Sequence, residues 1–202
     1  MSTAILGGGR MAVALHAAFR RAGGAAELID PRDPDPTALK RAPVLLLAVP
    51  FAAALDLIRR PLAACADGRV LVDVTNPATW PATPIPQGAS GGEVLAAAAP
   101  GWRVVKALNT IPARMLQVHQ LSGMPVSVPV AGADPAAKAQ VSELIRGLGF
   151  APVDAGGISA SREIEALAVL LMRISDRNGL HGEIGIHIGR PAARTSLRRS
   201  VS

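Results

Sequence analysis

Short aliphatic runs alternate with amphipathic or alanine-rich stretches along most of the 202-residue chain. The first run, Thr3 to Leu6, ends in three glycines. Arg10 to Ala22 then carries Val13, Ala14, Ala17 and Ala18 at helical spacing, which predicts a helix. Ala26 to Ile29 reads as a second strand ending at Asp30. The following PRDPDP excludes helix and central strand, because each proline lacks a donor and restricts its neighbour. A short helix is expected around Thr37 to Arg41. Val44 to Val49 is continuously aliphatic, as in a parallel strand covered on both faces. A helix from Ala52 to Arg59 and a strand from Arg69 to Val74 follow. Asn76 to Ser90 holds Pro77, Pro81, Pro84 and Pro86 and reads as a loop.

The same rhythm continues to the end. A short helix is expected over Glu93 to Ala99, then strands over Arg103 to Leu108 and Val126 to Ala131. Asp134-Pro135 opens the next helix, with Asp as cap and Pro fitting the first turn. Ala151 to Val153 is a last short strand. Ser159 to Ile174 is the strongest helix. Ser161 is its expected cap, and Ile164, Leu167, Leu171 and Ile174 form its stripe, widened by Ala168 and Leu170. Strand–helix alternation of this kind predicts an α/β fold: a Rossmann-type, doubly wound, mostly parallel sheet with a C-terminal helical extension. One domain over residues 1–188 is expected, followed by a basic, disordered tail over 189–202.

Composition removes several function classes. Half of the residues are hydrophobic, 18% are charged and mean hydropathy is +0.32, so the chain can bury a core. There is no tyrosine, which excludes a Tyr general acid. Cys65 is the single cysteine, so no intrachain disulfide forms. His16, His119, His181 and His187 share no compact ligand spacing with cysteine or carboxylates, and no metal site is expected. Setting aside Arg190, Arg194, Arg198 and Arg199 lowers the net charge from +6 to +2. The high pI is thus partly a property of the end of the chain, and no basic face with stacking aromatics points to nucleic acid. Pro50 and Asp56 interrupt the longest apolar stretch, and the N-terminus lacks signal-peptide features. A cytoplasmic protein without membrane segments is the expectation.

The most informative local pattern is Gly7-Gly8-Gly9-Arg10-Met11-Ala12, which fits G-x-G-x-x-A between the first strand and first helix. In that setting Gly7 allows the tight turn, Gly9 lets a pyrophosphate approach, and Ala12 keeps the helix close to the sheet. The helix-start amides would hold the phosphates. Asp30 ends the second strand, where an acid would bond the adenosine ribose and favour NAD. Arg32 could instead grip the 2′-phosphate of NADP, and Asp30 could also cap the turn with Pro31. Other candidates stand at carboxyl ends of strands: Val49-Pro50-Phe51, Thr75-Asn76-Pro77 and Asn109-Thr110-Ile111-Pro112. Phe51 fits either a nicotinamide wall or the core, and Lys106 fits an ion pair within its strand. No His-Asp pair or paired carboxylates are visible, so no catalytic side chain is expected. Hydride transfer governed by orientation fits this poverty of acid–base groups.

These residues resemble a known family. ILGGGRMAVAL, LLLAVPFAAAL, VLVDVTNP, VVKALNTIPA, PVAGADPAAKAQV, LGFAPVDAGGISASREIEALA and RNGLHGEIGI are similar to segments of the NADPH-dependent coenzyme F420 reductases, roughly from Ala4 to Ile188. The resemblance implies hydride exchange between NADP(H) and a deazaflavin, coenzyme F420, stacked on the nicotinamide. It implies that Gly7, Gly9, Arg10 and Met11 hold the pyrophosphate, and that Asp30 and Arg32 stand where the 2′-phosphate is read. Val49 and Pro50 would line the nicotinamide ribose, and Asn76, Asn109 and Thr110 would border the deazaflavin pocket. It also implies a homodimer formed through the apolar C-terminal helix and GEIGIHI. Two departures stand out: Asp30-Pro31-Arg32 replaces a pair such as Ser-Arg, and His181 is inserted in the RNG-GE segment. The choice between NADP and NAD stays open. So does the acceptor, since the resemblance also admits flavins, ferric chelates, quinones or imines, and binding of NAD(P) without turnover is the alternative outside enzymes.

Overall fold

A computed structural model describes residues 3–77 and 85–189. Pro81 and Pro84 of the expected loop, and all but the first residue of the expected tail, lie outside the described residues. Seven strands form one sheet: β1 (Thr3–Leu6), β2 (Ala26–Ile29), β3 (Val44–Leu47), β4 (Val70–Asp73), β5 (Arg103–Lys106), β8 (Ser127–Gly132) and β9 (Ala151–Gly156). Their order is β2-β1-β3-β4-β5-β8-β9, and β5–β8 is the antiparallel pairing in an otherwise parallel sheet. The chain winds outward from β1 in both directions, so the switch point lies between β1 and β3. β1, β3 and β4 are buried along their whole lengths, in keeping with sequences that are aliphatic apart from Thr3 and Asp73.

Helices α1 (Arg10–Arg21), α2 (Pro36–Arg41), α3 (Phe51–Leu57), α4 (Gly91–Ala98), α5 (Pro135–Gly147) and α6 (Ser161–Arg177) connect the strands or pack against the sheet. Two apolar clusters result. One joins Leu15 and Phe19 of α1 to Val141 and Ile145 of α5 across the central strands. The other joins Leu39, Phe51, Ile58 and Leu95 to the aliphatic side chains of β1, β3 and β4. Asp134 caps α5 through the Ala137 amide at 2.7 Å, as its sequence indicates. A short hairpin of β6 (Gln120–Leu121) and β7 (Met124–Pro125) is an addition that the hydrophobic pattern does not show.

Two expectations about α6 are corrected. Its N-cap is Ala160, with no capping side chain, and a single 3₁₀ turn over Ile158–Ala160 leads into it. Ser161 is instead the first helical residue and packs against Gly92, where a Cβ would stand 2.7 Å from its own Cβ. The buried stripe is Ile164, Ala168, Leu171 and Ser175, whereas Leu170 and Ile174 face outward with Met172. The helix is aligned by an ion pair that the apolar pattern cannot reveal.

That ion pair is centred on Lys106, which is fully buried on β5. Its Nζ lies 2.9 Å from Asp73 of β4 and 3.0 Å from Glu165 of α6, and donates to the Thr75 carbonyl at 2.6 Å. Glu165 also accepts from the Gly91 and Gly92 amides at 3.0 and 2.9 Å. Asp73 accepts from both the amide and the hydroxyl of Thr75. Every charged group in this cluster is ion-paired and hydrogen-bonded, as burial demands. Farther out, Arg162 of α6 forks onto Glu93 of the α4 capping box; these bonds and that of Ser90 hold the Glu93 carboxyl at about 2. Replacing Lys106 by Met strands two buried carboxylates, and urea denaturation should show a loss of about 3–5 kcal/mol. A loss under about 1 kcal/mol would contradict this role for the cluster.

Candidate functional site

The carboxyl ends of β1 to β5 open on one edge of the sheet. There the loop Gly7-Gly8-Gly9 leaves β1 and enters α1. Gly7 is buried, and a Cβ on it would collide with the Ala48 carbonyl oxygen and stand 2.8 Å from Ala12 Cβ. Its hydrogen atom therefore lets β1, β3 and α1 meet at the switch point. Gly9 differs: its φ of −89° suits any residue, and a Cβ there meets nothing within 4 Å. The space above Gly9 is open, and fold packing gives no reason for a glycine at this position.

Helix α1 begins directly at that space. Its N-cap Gly9 supplies no side-chain acceptor, and its first turn carries no acidic residue. The N-termini of α2, α4 and α5 are instead capped by Asp35, Ser90 and Asp134. The amides at the start of α1 have no acceptor within the helix and form the positive end of its dipole. An anion is the ligand this arrangement suits.

The space is a cleft of about 910 Å³, a size typical of small-molecule sites. Gly9, Arg10 and Met11 form one wall, Val49, Pro50 and Phe51 another, and Thr75 and Asn76 the floor. Phe51 is both a cleft wall and a core residue, since its exposure is only 4%. Two smaller cavities extend the cleft. One, of about 340 Å³, shares Val49 and Pro50 and continues past Arg32 and Leu57. The other, of about 270 Å³, shares Met11 and Asn76 and is lined by Asn109, Thr110 and Leu171.

Asn76 and Asn109 are locked together at this second extension. The Asn76 side-chain amide donates to the Asn109 carbonyl at 2.7 Å, and that of Asn109 donates to Asn76 Oδ1 at 2.9 Å. The Asn109 Oδ1 and the Thr110 hydroxyl are buried with no hydrogen-bond partner. Unpaired buried polar atoms of this kind are expensive in a folded chain and call for an explanation such as a ligand.

The expected residues thus separate by place. Gly9, Arg10, Met11, Val49, Pro50 and Asn76 line the cleft, Arg32 lines the first extension, and Asn109 and Thr110 line the second. Gly7 lies beneath the cleft. Asp30 stands at the end of β2 holding Arg32, by an Nε bond of 3.0 Å and an amino bond of 2.7 Å. The bonds from Arg32 hold the Asp30 carboxyl at about 2, so the pair stays charged throughout the neutral range. Arg114, Asp176 and His181 also line the cleft, brought there by the loop after β5, the last turn of α6 and the chain after it. No local motif marks Arg114 or Asp176; His181 is visible in sequence only as an insertion. It adopts a left-handed φ of 49°, which turns the chain back towards the cleft.

Among the described residues no group of three or more His, Cys, Asp or Glu side chains could hold a metal ion. No described helix is long and apolar enough to cross a membrane.

No family model matches the chain. Among solved structures it is similar to a candidate F420-dependent NADP reductase from Arthrobacter sp. FB24, with a TM-score of 0.80 and 25% identity. That match covers 93% of this chain and 99% of the other. A variant imine reductase from Myxococcus stipitatus in complex with NAD+ has a TM-score of 0.65 at 17% identity, over 89% of this chain and 63% of that one, a likeness of fold. Among curated proteins the rat metalloreductase STEAP3 is 39% identical over 105 residues, 52% of this chain. The chain spans about a fifth of the length of the metalloreductases it matches. The sheet order and these likenesses agree on a Rossmann-type fold of the kind found in NAD(P)-binding oxidoreductases.

The two glycines are expected to respond differently. Gly7→Ala should lower stability by about 1–3 kcal/mol through overpacking at the switch point. Gly9→Ser, which restores an N-cap side chain, should leave it within about 0.5 kcal/mol. Equal losses in chemical denaturation would contradict the division of roles.

Proposed function

We propose that this chain binds NADP or NAD along the cleft and works as an oxidoreductase by direct hydride transfer. The observation carrying this is the uncapped N-terminus of α1 opening, over an unobstructed Gly9, onto a cleft at the switch point of the sheet. The residues present fit a dinucleotide. The α1 amides and Arg10 would bind the pyrophosphate, Val49 and Pro50 would line the nicotinamide ribose, and Asp30 and Arg32 would flank the adenosine ribose. When bound, the nicotinamide supplies or accepts the hydride.

The chain's own contribution is orientation. Phe51 and Val49 give the cleft a fixed apolar wall. The Asn76–Asn109 lock fixes the floor. Asn109 Oδ1 and the Thr110 hydroxyl remain to take polar groups of the acceptor, which Leu171 and Met172 would cover from α6. No charged group needs to move a proton for two stacked rings to exchange hydride. Coenzyme F420 is the acceptor we favour, supported by the motif resemblance and by the near end-to-end likeness to the Arthrobacter protein. The likeness to a metalloreductase over half the chain favours a second reading, with a flavin or ferric chelate as acceptor. We also propose a homodimer through α6, supported by the outward Leu170, Met172 and Ile174.

A spectrophotometric assay with oxidised deazaflavin, run with NADPH and with NADH, tests this directly. Bleaching of the deazaflavin band is the expected result. Nucleotide binding without bleaching would discard the deazaflavin and leave the flavin and ferric readings. Gly9→Val should abolish nucleotide binding in a fluorescence titration, because its side chain fills the pyrophosphate space; unchanged affinity would sink the cleft assignment. Asp30→Ser should shift the affinity ratio towards NADP by releasing Arg32 and removing a negative charge. A ratio that stays the same would deny Asp30 a part in cofactor choice.

A further inference from the structure

The cavity that continues the cleft past Val49 and Pro50 carries three charged side chains: Arg32, Asp56 and Arg60. Two of them are already engaged. Arg32 is forked onto Asp30 at 2.7 Å, and Asp56 faces Arg59 at 3.9 Å. Arg60 makes no hydrogen bond or ion pair among the described residues. Among the charged groups of this cavity it is the one without a direct partner, with the exposed Asp56 carboxylate also on the lining.

Local geometry explains how Arg60 comes to face the cavity. Pro61 cannot donate to the helical ladder, and α3 does not continue in α geometry through it. The chain widens into one π-helical turn over Ile58–Leu62. Ile58 and Leu62 are anchored in the core by this turn, while Arg60 and Pro61 line the cavity. Such turns change which residues share a helix face, and here an arginine lines the same cavity as Arg32.

We propose that Arg60 reads the 2′-phosphate of NADP. The inference rests on the dinucleotide reading of the cleft, which places the adenosine ribose beside Arg32. Asp30 satisfies much of the Arg32 guanidinium and offsets its charge, so Arg32 by itself is a weak receptor for a phosphate dianion. Arg60 supplies a planar cation with all its donors available. Pro31, Pro50 and Leu57 give the cavity the apolar surface that an adenine ring requires. Asp30 then positions Arg32 at the ribose, and Arg60 decides between the phosphorylated and unphosphorylated forms.

Titration calorimetry with NADP+ and NAD+ on the full chain tests this, using wild type, Arg60→Gln and Arg60→Lys. Arg60→Gln should lower the NADP+ to NAD+ affinity ratio by about tenfold, the size of a lost charge-assisted contact, with little change for NAD+. Arg60→Lys should recover part of that ratio. A ratio in Arg60→Gln within about twofold of wild type, with NAD+ still bound, would overturn the role of Arg60 and leave the dinucleotide site standing. Failure of wild type to bind either nucleotide would overturn the dinucleotide reading, and this inference with it.

Discussion

A buried ammonium group is costly without partners, and the partners of Lys106 join β4, β5, α4 and α6. One carboxylate, Asp73, comes from the neighbouring strand, and the other, Glu165, from the last helix. Two acids against one base leave an excess negative charge. The start of α4 meets it with the amides of Gly91 and Gly92, and a Cβ at Gly92 would strike Ser161. Four elements are thus fixed to one another by a single cluster. The candidate site depends on it, because Thr75 and Asn76 directly follow Asp73, and Asn109 and Thr110 closely follow Lys106. The cluster sits beneath the second extension and sets the spacing of its floor and its helical cover.

At the other end of the cleft the constraint is steric. Gly7 brings β1, β3 and α1 close enough for the α1 amides to converge above the sheet edge. Between these two fixed ends lies a wall of Val49, Pro50 and Phe51 that the core itself holds in place. An uncapped dipole, an apolar wall and two unpaired polar atoms make a graded site. It suits an anion at its centre, is apolar along one side and offers unpaired polar atoms at the far end. That gradient matches a phosphate-linked redox cofactor and a polar acceptor, and it requires no acid–base side chain at the point of transfer.

Much of this was legible in the sequence, for identifiable reasons. Parallel strands covered on both faces are largely aliphatic, so β1, β3 and β4 announce themselves. Asp134-Pro135 is a local signal with a local cause, and α5 starts there. Strand ends place Asp30, Val49, Asn76 and Asn109 on one edge once the sheet is parallel. Features with distant causes were not legible. Ser161 looks like a cap, yet it packs against Gly92, far away in the chain. Leu170 and Ile174 extend an apparent stripe, but Glu165 and Lys106 set the rotation of α6 and turn them outward. The antiparallel entry of β8 and the π turn at Arg59-Arg60-Pro61 depend on packing rather than periodicity. Arg114 reaches the cleft from a loop and Asp176 from the last turn of α6, and no motif marks either.

The most direct test of the account is a crystal structure of the chain grown with NADP+. The account predicts a pyrophosphate oxygen about 3 Å from the Arg10 or Met11 amide. It also predicts the nicotinamide against Val49 and Phe51, next to the Asn76–Asn109 pair. A dinucleotide bound elsewhere, or lying with its phosphates away from the start of α1, would contradict the reading of this cleft as a hydride-transfer site.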